Sequence, residues 1–297
     1  MSKSGPFPGA VTGTALWIAA ARARESDRPD PLFVDPWAAA LAGAEGRDRL
    51  VASEQASGRE NRFIPVRTRF FDDLLTAATW AEQVVLLGAG MDTRAYRLNL
   101  PPDTVVFELD HPNIFTAKNA VLKDVNPRCQ RREVSADLAG QWGPGLEDAG
   151  FDKARRTVWL AEGLFFYLTE DAVRGLLRNA ARLCRARALF GADVFGTGLL
   201  RLPSMQPVIE HRRGSNQPLP FCTDRPRELL AAGGWRTDTL ARLGEPQANF
   251  GRLPDVPPDW EGGPDPTMGT CLAVGFRHDS TMDVEAEAPV AVRVQLE

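Results

Sequence analysis

Paired cysteines are missing from this sequence. Cys129, Cys184, Cys222 and Cys271 stand far apart, and no two of them form a CxxC pair. This spacing supports neither a zinc site nor a disulfide framework, so we expect no metal and a reducing, cytoplasmic environment. A signal-peptide pattern is also lacking, as is any apolar run of the roughly 18 residues that a transmembrane helix needs. We therefore expect neither export nor membrane insertion.

A strong positive charge is missing as well. The 297 residues carry 35 Lys and Arg against 39 Asp and Glu, a formal net charge of -4. This balance argues against nucleic acid or an anionic membrane as a partner, because both attract basic surfaces. The hydrophobic content of 43% is typical of a globular enzyme with a substantial core.

A glycine turn is the most informative feature that is present. The apolar residues 84–87 predict a buried strand, and Gly88 and Gly90 follow it directly. A second predicted strand, at residues 104–110, ends on Asp110. Open α/β sheets hold nucleosides in this way, because glycine lets the backbone approach the ligand while the acid accepts hydrogen bonds from both ribose hydroxyls.

The third glycine of a dinucleotide fingerprint is missing, since Thr93 occupies its position. That glycine normally allows tight packing beside a pyrophosphate. The sequence therefore favours a nucleoside ligand that has no pyrophosphate over a nicotinamide dinucleotide.

Strands and helices alternate after a helical leading region, which predicts an α/β fold. Further strands are expected at residues 132–135, 157–161, 188–194, 235–240 and 270–276, and a weak edge strand at 290–294. Helices are expected at residues 14–24, 37–41, 67–82, 113–123, 169–184 and 225–232, and another that begins within 91–94. The Gly- and Pro-rich residues 195–222 predict an insertion over the carboxyl edge of the sheet.

Six short segments carry a family pattern through their order and spacing. They are residues 14–22, 30–36, 67–72, 87–94, 107–110 and 161–164. Together they resemble the leucine carboxyl methyltransferase family, and more closely its bacterial branch of S-adenosylmethionine-dependent O-methyltransferases of polyketide and other secondary metabolism. The resemblance implies one class I methyltransferase domain, a Rossmann-like α/β fold with a mostly parallel seven-stranded sheet. Its expected parts are an N-terminal helical lid (1–62), a core (63–278) with an insertion at about 195–222, and a C-terminal tail (279–297).

The resemblance also implies that S-adenosyl-L-methionine is the cofactor. Gly88 and Gly90 would lie against the methionine part of the cofactor, and Asp110 would bind the ribose diol. Asp137 would accept a hydrogen bond from the adenine amino group, while the backbone N–H of Leu138 would meet the ring.

Two charged residues are expected at the methionine end of the cofactor. Arg67 would pair with the cofactor carboxylate, because a guanidinium forms two parallel hydrogen bonds with a carboxylate. Glu162 would face the cofactor ammonium. Arg69 is the neighbour most easily confused with Arg67, and an arginine of the first helix is a further candidate, either Arg22 or Arg24.

Several acidic and capping roles have alternatives. Glu108 lies two residues before Asp110 on the same face of the strand and is the rival ribose acid. Asp137 is alternatively the N-cap of a helix after the third strand. For Asp92 and Thr93, helix capping is the favoured role over catalysis.

Several aromatic and histidine residues are expected to have structural roles and no role in catalysis. The aromatic residues 165–167 are expected in the core rather than in an acceptor pocket. His211 is assigned to a solvated loop, and His111 to shaping a turn.

The reaction implied by the resemblance is O-methylation of a small molecule, at a carboxylate or a hydroxyl. A carboxylate is ionised at neutral pH, whereas a phenol with a pKa near 10 benefits from a general base, and the sequence offers no obvious base. This favours a carboxylate, with Arg212 or Arg213 positioning it, although pairing with arginine would also weaken the nucleophile. Phenol methylation stays open. A nicotinamide-dependent oxidoreductase and a catalytically inactive cofactor-binding relative are the alternatives from other classes.

Overall fold

The computed structural model describes residues 8–215, 217–254 and 269–277. Its strands are β1 (Gln83–Leu87), β2 (Val105–Asp110), β3 (Gln130–Ser135), β4 (Thr157–Ala161), β5 (Ala188–Val194), β6 (Arg236–Arg242) and β7 (Cys271–Arg277). They form one seven-stranded sheet in the order β3-β2-β1-β4-β5-β7-β6. β7 runs antiparallel to both of its neighbours, and the other pairs are parallel.

Helices pack on both faces of this sheet. They are α1 (Pro8–Ser26), α2 (Ala38–Ser57), α3 (Phe63–Ala77), α4 (Arg94–Arg97), α5 (Pro112–Leu122), α6 (Gly143–Asp148), α7 (Glu170–Arg182), α8 (Gln206–Gly214) and α9 (Pro226–Ala232). Within the described ranges, no helix combines the length and the apolar character that crossing a bilayer requires.

The central strands are buried on both faces, as parallel strands covered by helices must be. Alternate residues of β1 enter two separate hydrophobic clusters. Val84 and Leu86 pack with residues of α1, α2 and α3. Val85 and Leu87 pack on the opposite face with residues of α7 and α9.

The strand order places a crevice beside β1. β2 and β3 lie on one side of β1, and β4 and β5 lie on the other, so the chain changes direction at this point. Open α/β sheets bind ligands in such a crevice, at the carboxyl ends of the strands. The loops that follow β1, β2 and β4 therefore meet above the same edge.

The predicted fold class and strands are confirmed, and all seven strands lie within two residues of their predicted bounds. Several helix predictions are wrong in extent. α2 consists of two helical stretches that meet at a kink at Gly43, whose φ of 58° and ψ of -164° are not helical. The second stretch, which reaches Ser57, is the part that the sequence analysis did not predict, and its Gly46 leaves room for the carbonyl oxygen of Leu16.

Other helices differ at their ends. α3 begins at Phe63 and ends at Ala77, well before residue 82, because the chain then turns into β1. The helix expected to begin within residues 91–94 begins at Arg94 and is only four residues long (α4). The chain before it stays in a loop, in which Gly88 and Gly90 have positive φ angles. Residues 195–222, expected as an insertion, contain α8. The edge strand at 290–294 and the tail at 279–297 fall outside the described residues, and the division into lid, core and insertion stays a proposal.

Candidate functional site

A cavity of about 1040 Å³ opens at the carboxyl ends of β1, β2 and β4. Its walls come from the loops after these strands and after β3, from α1, and from α8 in the insertion. All seven residues that the sequence predicted for the cofactor line this cavity: Arg67, Gly88, Gly90, Asp110, Asp137, Leu138 and Glu162.

The glycine turn forms the floor of the cavity. Gly88 and Gly90 have φ angles of 71° and 50°, a region that side chains strongly disfavour. A Cβ atom on Gly88 would lie 3.1 Å from Cδ1 of Leu164. Glycine is therefore required here for backbone conformation and for space, and both let a ligand lie against the backbone.

Asp110 ends β2 with its carboxylate fixed by backbone donors. Its Oδ2 accepts a hydrogen bond of 2.7 Å from the N–H of Gly90, and its Oδ1 accepts one of 2.7 Å from the N–H of His111. Burial raises the pKa of Asp110, against the lowering effect of these two N–H groups. Each oxygen keeps a lone pair for a ligand, so the acid is preorganised at the cavity wall.

Glu108 is excluded as the rival ribose acid. Its side chain is fully buried, does not line the cavity, and pairs with Lys118 Nζ at 2.8 Å and with Arg131 Nη2 at 2.6 Å. Sequence spacing alone could not separate Glu108 from Asp110, because the two residues share a face of the strand. The difference comes from cations on α5 and β3 that form ion pairs with Glu108 and not with Asp110.

Asp137 and Leu138 follow β3 at the far end of the cavity. Oδ1 of Asp137 accepts a hydrogen bond of 3.0 Å from Ala139 N, which closes a local turn. The alternative role of Asp137 as a helix N-cap is wrong, because the next helix, α6, begins only at Gly143. The Asp137 side chain is exposed, so it stays available to a ligand.

A buried ion-pair network lies at the opposite end of the cavity. Arg67 Nε donates to Glu162 Oε1 at 2.9 Å, and Arg67 Nη1 donates to Asp193 Oδ2 at 3.0 Å. Arg94 Nη2 lies 2.7 Å from the second oxygen of Glu162. Burial acts to raise the pKa of Glu162, but Arg94 and Arg67 outweigh it and hold the pKa below its usual range. Glu162 is therefore an anion beside the cavity.

Asp92 and Arg94 extend this network, a role that the sequence analysis missed. Asp92 Oδ1 accepts a hydrogen bond from the backbone N–H of Arg94, and its Oδ2 pairs with the Arg94 guanidinium at 2.5 Å. Burial opposes ionisation, yet Arg94, Lys118 and Arg97 lower the pKa of Asp92 to about 2. Asp92 therefore accepts a capping hydrogen bond at the start of α4, whereas the side chain of Thr93 makes none. The Thr93 hydroxyl instead donates to Asp35 at 2.7 Å.

The structure distinguishes the arginines that the sequence offered for the methionine end of the cofactor. Arg22 lines the cavity, where its Nε donates to Asp35 at 2.9 Å. Arg24 pairs with Glu54, and Arg69 pairs with Asp73, and neither lines the cavity.

Apolar and cationic side chains form the remaining wall. Phe165 is buried in the core as expected, but the core prediction is wrong for Phe166 and Tyr167, which line the cavity after β4. His211 and Arg212 also line it. The loop prediction for His211 is wrong, because the residue lies on α8. Residues 195–222 are rich in Gly and Pro and have no clear helical pattern, so α8 could not be predicted from the sequence.

Among the described residues, no group of three or more His, Cys, Asp or Glu side chains is arranged to hold a metal ion. The strand order, with an acid at the end of β2 beside a glycine turn, defines a Rossmann-like α/β domain. The fold is similar to that of a DUF574 family protein from Streptomyces avermitilis, with a TM-score of 0.58 at 16% identity over 86% of this chain and 95% of that one. A provisionally assigned methyltransferase from Thermobifida fusca also has a TM-score of 0.58, at 15% identity over 93% and 100% of the two chains.

Sequence comparison identifies the family. The profile of the leucine carboxyl methyltransferase family matches residues 15–181. A protein of Mycobacteroides abscessus, provisionally named an S-adenosyl-L-methionine-dependent methyltransferase, is 36% identical over 275 residues, which cover 80% of this chain and 90% of that protein. A Parafrankia relative with the same provisional name is 46% identical over 184 residues, covering 58% of this chain and 59% of its own length. The chain belongs to the leucine carboxyl methyltransferase family, and its predicted class I methyltransferase fold is confirmed.

Proposed function

We propose that this protein transfers a methyl group from S-adenosyl-L-methionine to an oxygen of a small molecule. The observation that carries the proposal is a single cavity with a positive-φ glycine turn, a preorganised acid at the end of β2, and a buried ion pair at the other end. Family membership and the names of the relatives support the same cofactor.

The nucleoside end of the cavity fits this cofactor. Each oxygen of Asp110 already accepts one backbone hydrogen bond and can accept another from a ribose hydroxyl. Asp137 would accept a hydrogen bond from the adenine amino group, and the backbone N–H of Leu138 would meet the ring. Gly88 and Gly90 leave room for the chain of atoms between ribose and amino acid.

The opposite end fits an amino acid group. A zwitterion presents a carboxylate and an ammonium side by side, and the Arg67–Glu162 pair presents the opposite charges in the same arrangement. Arg67 would bind the carboxylate, and Glu162 would face the ammonium. Because both side chains are held by further ion pairs, they need little reorganisation when the ligand binds.

When bound, the cofactor would supply an electrophilic methyl group for an in-line displacement. The protein's own contribution is to hold the acceptor oxygen in line and to exclude water, and such orientation is worth roughly 7–11 kcal/mol. The wall formed by Phe166, Tyr167 and α8 would bind the acceptor. The acceptor class is a small-molecule carboxylate or hydroxyl, such as that of a polyketide.

Calorimetry with S-adenosyl-L-methionine and with NADH tests the cofactor. We expect saturable binding of the first and none of the second. Binding of NADH alone, or no binding of S-adenosyl-L-methionine at millimolar concentration, would reject the proposal.

Mass spectrometry of acids and phenols incubated with protein and cofactor tests the transfer. We expect a gain of one methyl group, and mild alkali then distinguishes an ester from an ether. Cofactor binding without any turnover across the panel would instead support an inactive relative.

A further inference from the structure

One arginine of the cavity differs from all the others. Five arginines line the cavity: Arg22, Arg67, Arg94, Arg97 and Arg212. The first four each pair with at least one carboxylate of the protein at 3.0 Å or less. Arg212 has no carboxylate within 4 Å among the residues that the structure describes.

Arg212 is nevertheless held in place. Its Nη1 donates a hydrogen bond of 2.9 Å to the carbonyl oxygen of Pro218, and its guanidinium carbon lies 6.0 Å from the centre of the Phe166 ring. The backbone carbonyl of Arg212 also accepts from Gln217 N at 2.8 Å. The side chain is therefore positioned on α8 at the cavity wall, with most of its five N–H donors unused by the protein.

The environment of Arg212 has a deficit of negative charge. Burial lowers the pKa of Arg212, and no carboxylate among the described residues lies close enough to offset this effect. Arg67, Arg94 and Arg97 are more deeply buried, but their carboxylate partners raise the pKa of each above its ordinary value. A partly desolvated cation without an anion is unfavourable unless a ligand supplies one.

Tyr167 adds a neutral donor to this end of the cavity. Its hydroxyl forms a hydrogen bond with that of Thr14 on α1, and burial raises the pKa of the phenol. Tyr167 therefore stays protonated at neutral pH and cannot repel an anion. Phe166, Pro207 and Val208 supply apolar surface around these polar groups.

We propose that Arg212 binds an anionic group of the methyl acceptor, and that the acceptor is a small organic acid with an apolar body. This inference rests on the proposed function where it identifies the ligand as the methyl acceptor. Binding of an anion at Arg212 does not itself depend on methyl transfer. Arg213, the other arginine considered from the sequence, is exposed and does not line the cavity.

Two matched pairs of probes test the proposal: benzoate with benzamide, and 2-naphthoate with 2-naphthamide. Each acid and its amide share a shape and differ in charge. Binding is measured by calorimetry on the full chain, with and without S-adenosylhomocysteine. Arg212→Met removes the charge, Arg212→Lys keeps it, and Arg213→Met is the neighbouring control. A thermal melt of each variant verifies that it is folded.

We expect the wild-type protein and Arg213→Met to bind at least one acid about tenfold or more tightly than its amide. Arg212→Met should abolish that preference, and Arg212→Lys should keep part of it. Equal binding of acid and amide by the wild-type protein, or a preference that survives in Arg212→Met, would overturn the proposal. Failure of S-adenosylhomocysteine to bind would count against the proposed function, while the acid and amide comparison without it still decides the role of Arg212.

Discussion

Asp110 and Glu108 offer a sharp test of the cofactor site, because they are two acids on one strand with different surroundings. Asp110→Asn replaces one carboxylate oxygen with an NH₂ group and removes the charge. The ribose then loses at least one charge-assisted hydrogen bond, which is worth about 1.5–3 kcal/mol. That loss corresponds to a dissociation constant for S-adenosylhomocysteine about 10- to 150-fold higher.

Glu108→Gln is the matched control. It leaves Lys118 buried without its anion and takes from Arg131 one of two carboxylate partners, the other being Glu133. Breaking a buried ion pair in this way costs about 3–5 kcal/mol. With an unfolding entropy of about 2.1 cal/mol/K per residue, the melting temperature should fall by about 5–8 °C. Cofactor affinity should stay unchanged, because Glu108 does not line the cavity.

Calorimetry and thermal melts of the two variants separate these effects. The reasoning is refuted if Asp110→Asn binds S-adenosylhomocysteine as tightly as the wild-type protein does. It is refuted equally if Glu108→Gln weakens binding without lowering the melting temperature.

Two further perturbations can be measured with the same methods. Gly88→Ala and Gly58→Ala both force alanine to a φ near 70°, at about 1–2 kcal/mol each, but only Gly88 faces Leu164 and the cavity. Both variants should melt earlier, and only Gly88→Ala should bind cofactor more weakly; equal affinities would contradict the assigned role of the turn. The pKa of Asp92, lowered from 3.8 to about 2, gives stability that is present above pH 3.8 and lost as the pH falls through 2. In melts between about pH 5 and pH 2, Asp92→Asn should lose less stability than the wild-type protein, and identical profiles would reject this linkage.

The sheet was predictable because its strands are short apolar runs with clear ends. The glycine turn and Asp110 were equally visible, since both lie where a strand must stop. The seven predicted cofactor residues do converge on one cavity. Their contacts with a cofactor stay a prediction.

The features of the site that could not be predicted depend on contacts between residues that are far apart in the sequence. Glu108 and Asp110 look alike until Lys118 and Arg131 fold against one of them. Arg94 lies in a family segment, but its ion pair with Glu162 joins residues that are 68 positions apart. Phe166 and Tyr167 follow a buried strand, and aromatic residues at such a position are usually part of the hydrophobic core. No local sequence pattern shows that α8 lies across a cavity from them.

The anchoring of α1 has a practical consequence for truncation. Glu25 of α1 is 1% exposed, and it pairs with Arg28 at 3.0 Å and with Arg252, which follows β6, at 2.8 Å. Arg252 also reaches Asp30 at 3.1 Å. Deleting the leading helices together with Asp30 would strip Arg252 of both acids and uncover the apolar side of α3, so we expect a chain truncated in this way to fold less stably than the full chain.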